Sequence, residues 1–232
     1  MIRSNIRAMS GYVPGEQLND PDIVKLNTNE NPYPPSPRVF DAIRTALTSD
    51  SLRKYPQPLG DSFRKAAGRV LNIDPDSILI GNGSDDILTI LTRAFVPEGG
   101  LIASPTPSYI LYKNLAEIQG SRFDAVPFTA DWQLGENWPR ADLAFLPNPN
   151  SPSGTVVPAE QIAELAGRVN ALVLDQAYVD FSLAGRARAR IFYPSLRDRP
   201  TRSSRARSAS PTRWRVSASG SPSPIRGWFA NW

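Results

Sequence analysis

The chain contains no cysteine and no histidine. Without cysteine there is no disulfide framework and no thiolate metal site; without histidine, imidazole catalysis and His-ligated zinc are excluded. Proton transfer therefore falls to lysine, tyrosine or carboxylates. No lysine occurs beyond Lys113. No stretch approaches the ~20 apolar residues of a membrane span, and the opening MIRSNIRAMSGYVPGEQ lacks the apolar core of a signal peptide. A soluble cytoplasmic protein with no membrane partner is the expectation.

What is present is 232 residues with 41% hydrophobic content, enough for one large α/β domain or two small ones. The formal charge of +4 conceals an asymmetry. Of 26 basic and 22 acidic residues, eleven arginines and one acid fall from Ser182 onward, so this tail carries +10 and the remainder −6. An acidic body with a basic tail suits nucleic-acid or membrane-surface contact, and it is also what an accident of coding would give. The stretch RPTRSSRARSASPTRWRVSASGSPSPIRGW has no apolar period and few aromatics on which bases could stack, which makes nucleic acid the weaker of these readings.

The sequence divides into an irregular arm (1–36), a globular part (37–181) and the Arg/Ser/Pro-rich tail (182–232), which is expected to be irregular and without a packed core. The arm ends in LNTNENPYPPSP, where Pro32, Pro34, Pro35 and Pro37 forbid a helix or central strand. Ser36 as cap and Pro37 in the first turn predict a helix with Val39, Phe40, Ile43 and Leu47 on one face. Beyond Gly60, helices near 61–71, 84–95, 108–119 and 158–169 alternate with apolar strands at 77–81, 101–103, near 122–126, 143–146 and 171–175. That alternation predicts an α/β fold, a mostly parallel sheet between helices on both faces.

Ligands of such sheets bind beyond the carboxyl ends of the strands, and three strand ends stand out. GNGSDD (81–86) supplies a tight turn with the first N–H groups of a helix, which suits a phosphate dianion; an ordinary turn capped by Ser84 is the bland alternative. PNPNSPSGTVV (147–157) holds an irregular loop open and could aim the amide of Asn150 at a bound ring, or be a plain surface turn. LVLD (172–175) leaves Asp175 at a strand end after apolar residues, where a carboxylate needs a cation or strong donor; capping the next turn is the alternative.

The motifs LNTNENPYPPSP, KYPQPLG, GNGSDD, PTPSYILY, PNPNSPSGT and VLDQAYVDF resemble, in order, those of the histidinol-phosphate aminotransferase branch of the fold-type I pyridoxal-phosphate (PLP) aminotransferases. The resemblance covers roughly residues 10–181. It implies a partial large domain of that fold, transfer of an amino group between histidinol phosphate and 2-oxoglutarate in histidine biosynthesis, a small amino-acid substrate, and a homodimer. By resemblance, Gly83, Ser84 and Asp85 hold the cofactor phosphate and Tyr109 stacks on the pyridine ring. Asn150 and Tyr178 bond the ring hydroxyl, and Asp175 the ring nitrogen. Tyr55 reaches the phosphate of the neighbouring subunit, and Tyr12 and Asn31 touch substrate. Two departures are Ser151, directly before Pro152, where many relatives have Asn, and Gln176 in place of a common Glu. Other aminotransferases or phospho-amino-acid decarboxylases of the branch remain alternatives.

The family needs a Schiff-base lysine some two dozen residues beyond the DQAYVDF-like strand, and this chain has ARSASPTRWRVSASG there, so no catalytic residue is assigned and an inactive chain is expected. The genetic code supplies an explanation. Taking the last base of one codon with the first two of the next, Ala-Ser-Pro-Thr at 209–212 can be respelled to read Lys-Ser-Tyr, and the bases from Trp214 permit Leu-Ala-Gly-Leu-Arg-Phe-Gly. The tail therefore reads as a frameshifted product, with the shift between Ser182 and about Pro200.

Overall fold

The computed structural model describes residues 2–9, 22–24, 29, 31 and 33–182, with the backbone alone of Asp180, 212–216 and 228–230. The first element, α1 (Ser4–Ala8), is too short to hold itself, and is not expected from the sequence. The Arg3 and Asn5 side chains hold it by donating to the carbonyls of Ile118 (2.6 Å) and Glu117 (2.7 Å), in the last turn of a later helix. Helix α2 (Pro37–Ala46) has Ser36 at its N-cap position and Pro37 in its first turn, though the Ser36 hydroxyl makes no capping bond. Val39, Phe40, Ile43 and Leu47 are spaced for one helical face, yet they remain 39–58% exposed.

Helix α3 (Ser49–Leu52) is closed by a reciprocal Thr48–Ser51 capping box, and α4 (Asp61–Leu71) follows. The alternating part then runs β1 (Ile78–Leu79), α5 (Ser84–Phe95), β2 (Leu101–Thr106), α6 (Leu111–Gln119), β3 (Arg122–Pro127), β4 (Leu143–Pro147), α7 (Ala159–Arg168) and β5 (Ala171–Asp175). The tail contributes β6 (Thr212–Val216) and β7 (Trp228–Ala230). The sheet order is β1-β7-β6-β5-β4-β2-β3. β3, β2, β4, β5 and β6 pair in parallel, and β7 is antiparallel to both β6 and β1.

Strands β4 and β5 are buried along their whole length, and their alternate residues sort into two layers. Leu143, Phe145, Ala171 and Val173 pack with Ile87, Leu88 and Leu91 of α5 and Tyr112 and Leu115 of α6. Ala144, Leu146, Leu172 and Leu174 pack on the opposite face with Ile162, Leu165 and Ala166 of α7. By the same parity Asp175 shares the α5/α6 side with Ala171 and Val173. The expected α/β architecture is the observed one.

Boundaries differ where prolines intervene. β2 runs to Thr106 because it pairs with β3 throughout, from Leu101↔Arg122 to Thr106↔Pro127. Helix α6 starts at Leu111 instead of near 108, since Pro107 and the turn through Ser108–Ile110 lead the chain off the strand first. In the tail, eight residues are strands where the sequence shows no strand pattern. The physical reason is that β5 offers a row of backbone N–H and C=O groups, and ladder pairing needs no apolar period in the strand that joins it. The remainder of the tail expectation lies outside the described residues.

The layered core makes a directional prediction. Phe145→Ala, which opens a void between β4 and α6, should cost about 3–5 kcal/mol in urea unfolding, whereas Ile43→Ala on α2 should stay within about 0.5 kcal/mol. Comparable losses at the two positions would contradict the assignment of the core.

Candidate functional site

Between β3 and β4 the chain returns across β2, so β2 and β4 become neighbours at the point where the winding reverses. A crevice at the carboxyl ends of strands is the usual consequence. The loops leaving β2 and β4 meet there: the Asn150 amide donates to the Pro107 carbonyl at 3.3 Å and to Ser153 Oγ at 2.9 Å. Asn150 is 2% exposed, and its Oδ1 is buried without a hydrogen-bond partner among the described residues. The peptide bonds before Pro107, Pro149 and Pro152 are all cis.

Asn148 does different work. Its side chain accepts from the Val157 amide (2.8 Å) and donates to the Val157 carbonyl (3.2 Å), imitating a strand neighbour and closing the loop. Its own amide donates to the Asp175 carbonyl at 2.7 Å. Of the two asparagines, Asn150 is the one with an open polar atom.

Asp175 is buried at the end of β5. Its Oδ1 accepts from the Ala177 amide at 3.1 Å and its Oδ2 from the Tyr112 hydroxyl at 2.9 Å. Burial raises its carboxyl pKa above the ordinary 3.8; the Ala177 and Tyr112 hydrogen bonds pull it back, and the Asp85 charge pushes it up. Tyr112 stacks on Phe145 with ring centroids 4.8 Å apart and stands edge-on to Tyr109 at 5.7 Å. Burial, then the Asp175 charge, holds its phenol well above the usual tyrosine range, so it remains a donor.

Helix α5 begins directly at the turn, with Gly83 at φ 87°, a left-handed conformation that glycine adopts freely, and nothing within 4 Å of where a Cβ would stand. Gly83 occupies the N-cap position and has no side chain, and Ser84 is the first residue of the helix instead of its cap, so no N-cap side chain claims the first-turn N–H groups; the Ser84 hydroxyl donates to Asp85 at 3.4 Å. The Tyr109 hydroxyl donates towards both Asp85 oxygens (3.3 and 3.4 Å), linking this turn to the β2 loop.

The structure thus links Asp85 to Tyr109, Tyr109 to Tyr112 and Tyr112 to Asp175, with Gly83 and Ser84 next to Asp85 in the turn and Asn150 bonded across the β2–β4 junction. Tyr178, two residues past the buried pair Asp175–Gln176, accepts from the Asn29 amide at 3.1 Å, which ties the arm to the site's edge. Tyr55 is 100% exposed and takes no part in the cluster this chain forms. Asn31 closes a local turn by accepting from the Tyr33 amide at 3.0 Å. Tyr12 lies outside the described residues. Tyr112 is the residue that sequence reasoning missed. The spacing signals its burial, since it lies on the same helical face as buried Leu115 and Ala116, but not its bond to Asp175.

The family model for aminotransferase class I and II matches residues 21–225. A histidinol-phosphate aminotransferase of Rhodopirellula baltica is 51% identical over 186 residues, which cover 78% of this chain and 51% of the relative. One from Syntrophotalea carbinolica is 49% identical over 185 residues, 78% of this chain and 53% of the relative. The chain therefore spans about half the length of the curated relatives it matches. Among solved structures, the histidinol-phosphate aminotransferase from Sinorhizobium meliloti in complex with pyridoxal-5'-phosphate superposes with a TM-score of 0.60 at 26% identity, over 82% of this chain and 50% of that one. L-threonine-O-3-phosphate decarboxylase from Porphyromonas gingivalis gives 0.51 at 26% identity, over 61% and 46%.

The Asp175 environment fixes the sign of a pH effect. A carboxyl whose folded pKa lies above its unfolded value holds its proton more tightly when folded, so its contribution to stability is complete below about pH 3.8 and is lost as pH rises through the folded value. Asp175→Asn removes the buried charge, and its amide can still accept from Ala177 and donate to Tyr112. The variant should be more stable than the parent at pH 7 by on the order of 1 kcal/mol, with the difference shrinking towards pH 4, in urea unfolding at both pH values. A parent more stable at pH 7 would mean that the two hydrogen bonds outweigh burial.

Proposed function

The chain belongs to the aminotransferase class I and II family, and we propose that it carries the cofactor-binding part of a PLP-dependent histidinol-phosphate aminotransferase while being itself unable to turn over. The observation that carries the first half is the donor and acceptor set at the strand ends. A buried carboxylate, an orphaned buried amide oxygen and the start of α5 fit the three polar regions of pyridoxal phosphate. Asp175 would accept from the protonated ring nitrogen, Asn150 and Tyr178 would meet the ring hydroxyl, and the turn at Gly83, Ser84 and Asp85 would hold the phosphate through main-chain N–H groups. Tyr109 would cover the ring face, and Tyr55, wholly exposed here, would serve the phosphate of a second subunit. Tyr12 and Asn31 of the arm would touch substrate. When bound, the cofactor supplies an electron sink for charge developing at the substrate's alpha carbon.

The second half rests on the lysines. Proton transfer at that carbon needs an amine held against it. Of the four lysines, Lys54 is paired with Asp50, Lys113 lies near Glu117 at 3.8 Å, and both are surface residues; Lys65 is also exposed, and Lys25 lies outside the described residues. No later lysine exists. The frameshift reading would account for this: codons for residues 209–212 can be chosen so that the alternative frame reads Lys-Ser-Tyr, and the missing amine would lie there. The 51% and 49% identical relatives support histidinol phosphate as substrate. A phospho-amino-acid decarboxylase is the second reading, favoured by the likeness to the Porphyromonas gingivalis enzyme.

The test is repair of the frame between Ser182 and Thr201 in the gene. A bacterium lacking its own histidinol-phosphate aminotransferase should grow without histidine when it carries the repaired gene, and should fail to grow with the 232-residue chain. Rescue by the unrepaired chain would refute the inactivity. A soluble repaired protein that decarboxylates a phospho-amino acid and leaves histidinol phosphate untouched would move the assignment to the second reading.

A further inference from the structure

We infer that Tyr112 is a positioning residue for the site, its buried hydroxyl fixing the Asp175 carboxylate in the orientation that a ring-nitrogen donor requires. The inference rests on the proposed role of Asp175 and extends it to a residue to which no function has so far been attached. Three observations carry it.

The first is rigidity. Tyr112 and Phe145 are both 0% exposed, and their rings stack at 4.8 Å with an interplanar angle of 12°. Tyr109 closes the edge at 5.7 Å and 89°. A phenol clamped on its face and edge has little rotational freedom, so its hydroxyl is delivered to one place.

The second is the partner. A buried tyrosine hydroxyl needs an acceptor, and a backbone carbonyl would satisfy it. Here the acceptor is Asp175 Oδ2, at 2.9 Å, while the Ala177 amide takes Oδ1 at 3.1 Å. One donor on each oxygen fixes the plane of the carboxylate and leaves lone pairs open on both, as a third donor needs. With Ala177 alone, rotation about the last side-chain bond would be opposed by a single contact.

The third is electrostatic. Burial opposes the charge on Asp175, and the Asp85 carboxylate opposes it further; the Ala177 amide and the Tyr112 hydroxyl are the donors that favour it, while the Tyr109 hydroxyl is directed at Asp85. Burial keeps the Tyr112 phenol protonated, so it supports the ionised carboxylate at all working pH values. Removing the hydroxyl would leave Oδ2 satisfied most simply by a proton of its own, which converts an acceptor of the ring nitrogen's proton into a competitor for it.

The experiment uses the 232-residue chain, its Tyr112→Phe and Asp175→Asn variants, and the double variant. In the cofactor-free protein, carboxyl-13C NMR of labelled aspartate, with Asp175 assigned by its loss in Asp175→Asn, should show the Asp175 midpoint moved upward in Tyr112→Phe. Binding of pyridoxal phosphate, followed by its absorbance, should weaken about tenfold in Tyr112→Phe, and the same change should have no further effect once Asp175 is Asn. An unmoved midpoint with unchanged affinity, or a loss that persists in the Asp175→Asn background, would overturn the inference. Absence of pyridoxal phosphate binding by the parent chain would instead sink the reading of the cofactor site, and the NMR titration would still decide whether the hydroxyl governs the carboxylate. Should Tyr112→Phe fail to fold, 3-fluorotyrosine at position 112 keeps ring and hydroxyl while strengthening the donor. The midpoint should then move downward, and an upward or null change would count against the inference.

Discussion

A carboxylate buried at the end of a parallel strand is the constraint on which the rest of the site depends. Asp175 follows four apolar residues of β5, so the layers that bury Ala171 and Val173 also strip water from the carboxylate. Such a group is costly unless donors reach it, and two do: the Tyr112 hydroxyl from α6 and the Ala177 amide from its own turn. Its backbone carbonyl is held as well, by the Asn148 amide at 2.7 Å. One residue thereby ties β5, α6 and the loop after β4. Moving any of these elements would leave a buried charge with too few donors, which is a sharper restraint than apolar packing alone.

The same elements explain why the surrounding loops can be irregular yet well placed. β4 and β5 are buried on both faces, and their ends therefore have little freedom. Loop 147–157 inherits that rigidity through Asn148, whose side chain pairs with both backbone groups of Val157 as a neighbouring strand would. With the loop closed in this way, Asn150 can be buried with an open oxygen. An unsatisfied buried acceptor costs stability, and proteins keep such groups where a ligand completes them.

Much of this was legible in the sequence. The apolar runs 143–146 and 171–175 could only be buried strands between helical patterns, and strand-end logic pointed to Asp175, Asn150 and the turn at Gly83 before any contact was known. What escaped had a physical reason in each case. Tyr112 was hidden because an aromatic at helical spacing has an apolar face to bury, and only the path of α6 over β4 and β5 brings its hydroxyl to Asp175. α1 has no periodic pattern; it exists because Arg3 and Asn5 find the end of α6. β6 and β7 escaped because ladder pairing is a property of the backbone. The converse error is α2, whose amphipathic pattern announces an apolar partner, while the residues described here leave Val39, Phe40, Ile43 and Leu47 substantially exposed.

The β5–β6 pairing also bears on how a site can persist where its chemistry does not. Residues 212–216 lie parallel to β5 in the register Ala171↔Thr212 to Asp175↔Val216, so the segment just after positions 209–211 runs alongside the strand that ends in the buried carboxylate. A backbone ladder of that kind is indifferent to which side chains the codons specify, as long as proline and glycine stay out of it, and TRWRV contains neither. Side-chain chemistry has no such tolerance. Under the proposed function, the change of frame would therefore affect the two halves of the site unequally. The groups proposed to hold a cofactor lie before Phe181 and would keep their identity, whereas the amine that would act on substrate would come from the altered stretch and be lost. Binding and proton transfer are distinct physical tasks: on that proposal the first would be met by fixed donors and acceptors on β2, β4, β5 and α5, and the second would ask for one mobile, titratable nitrogen.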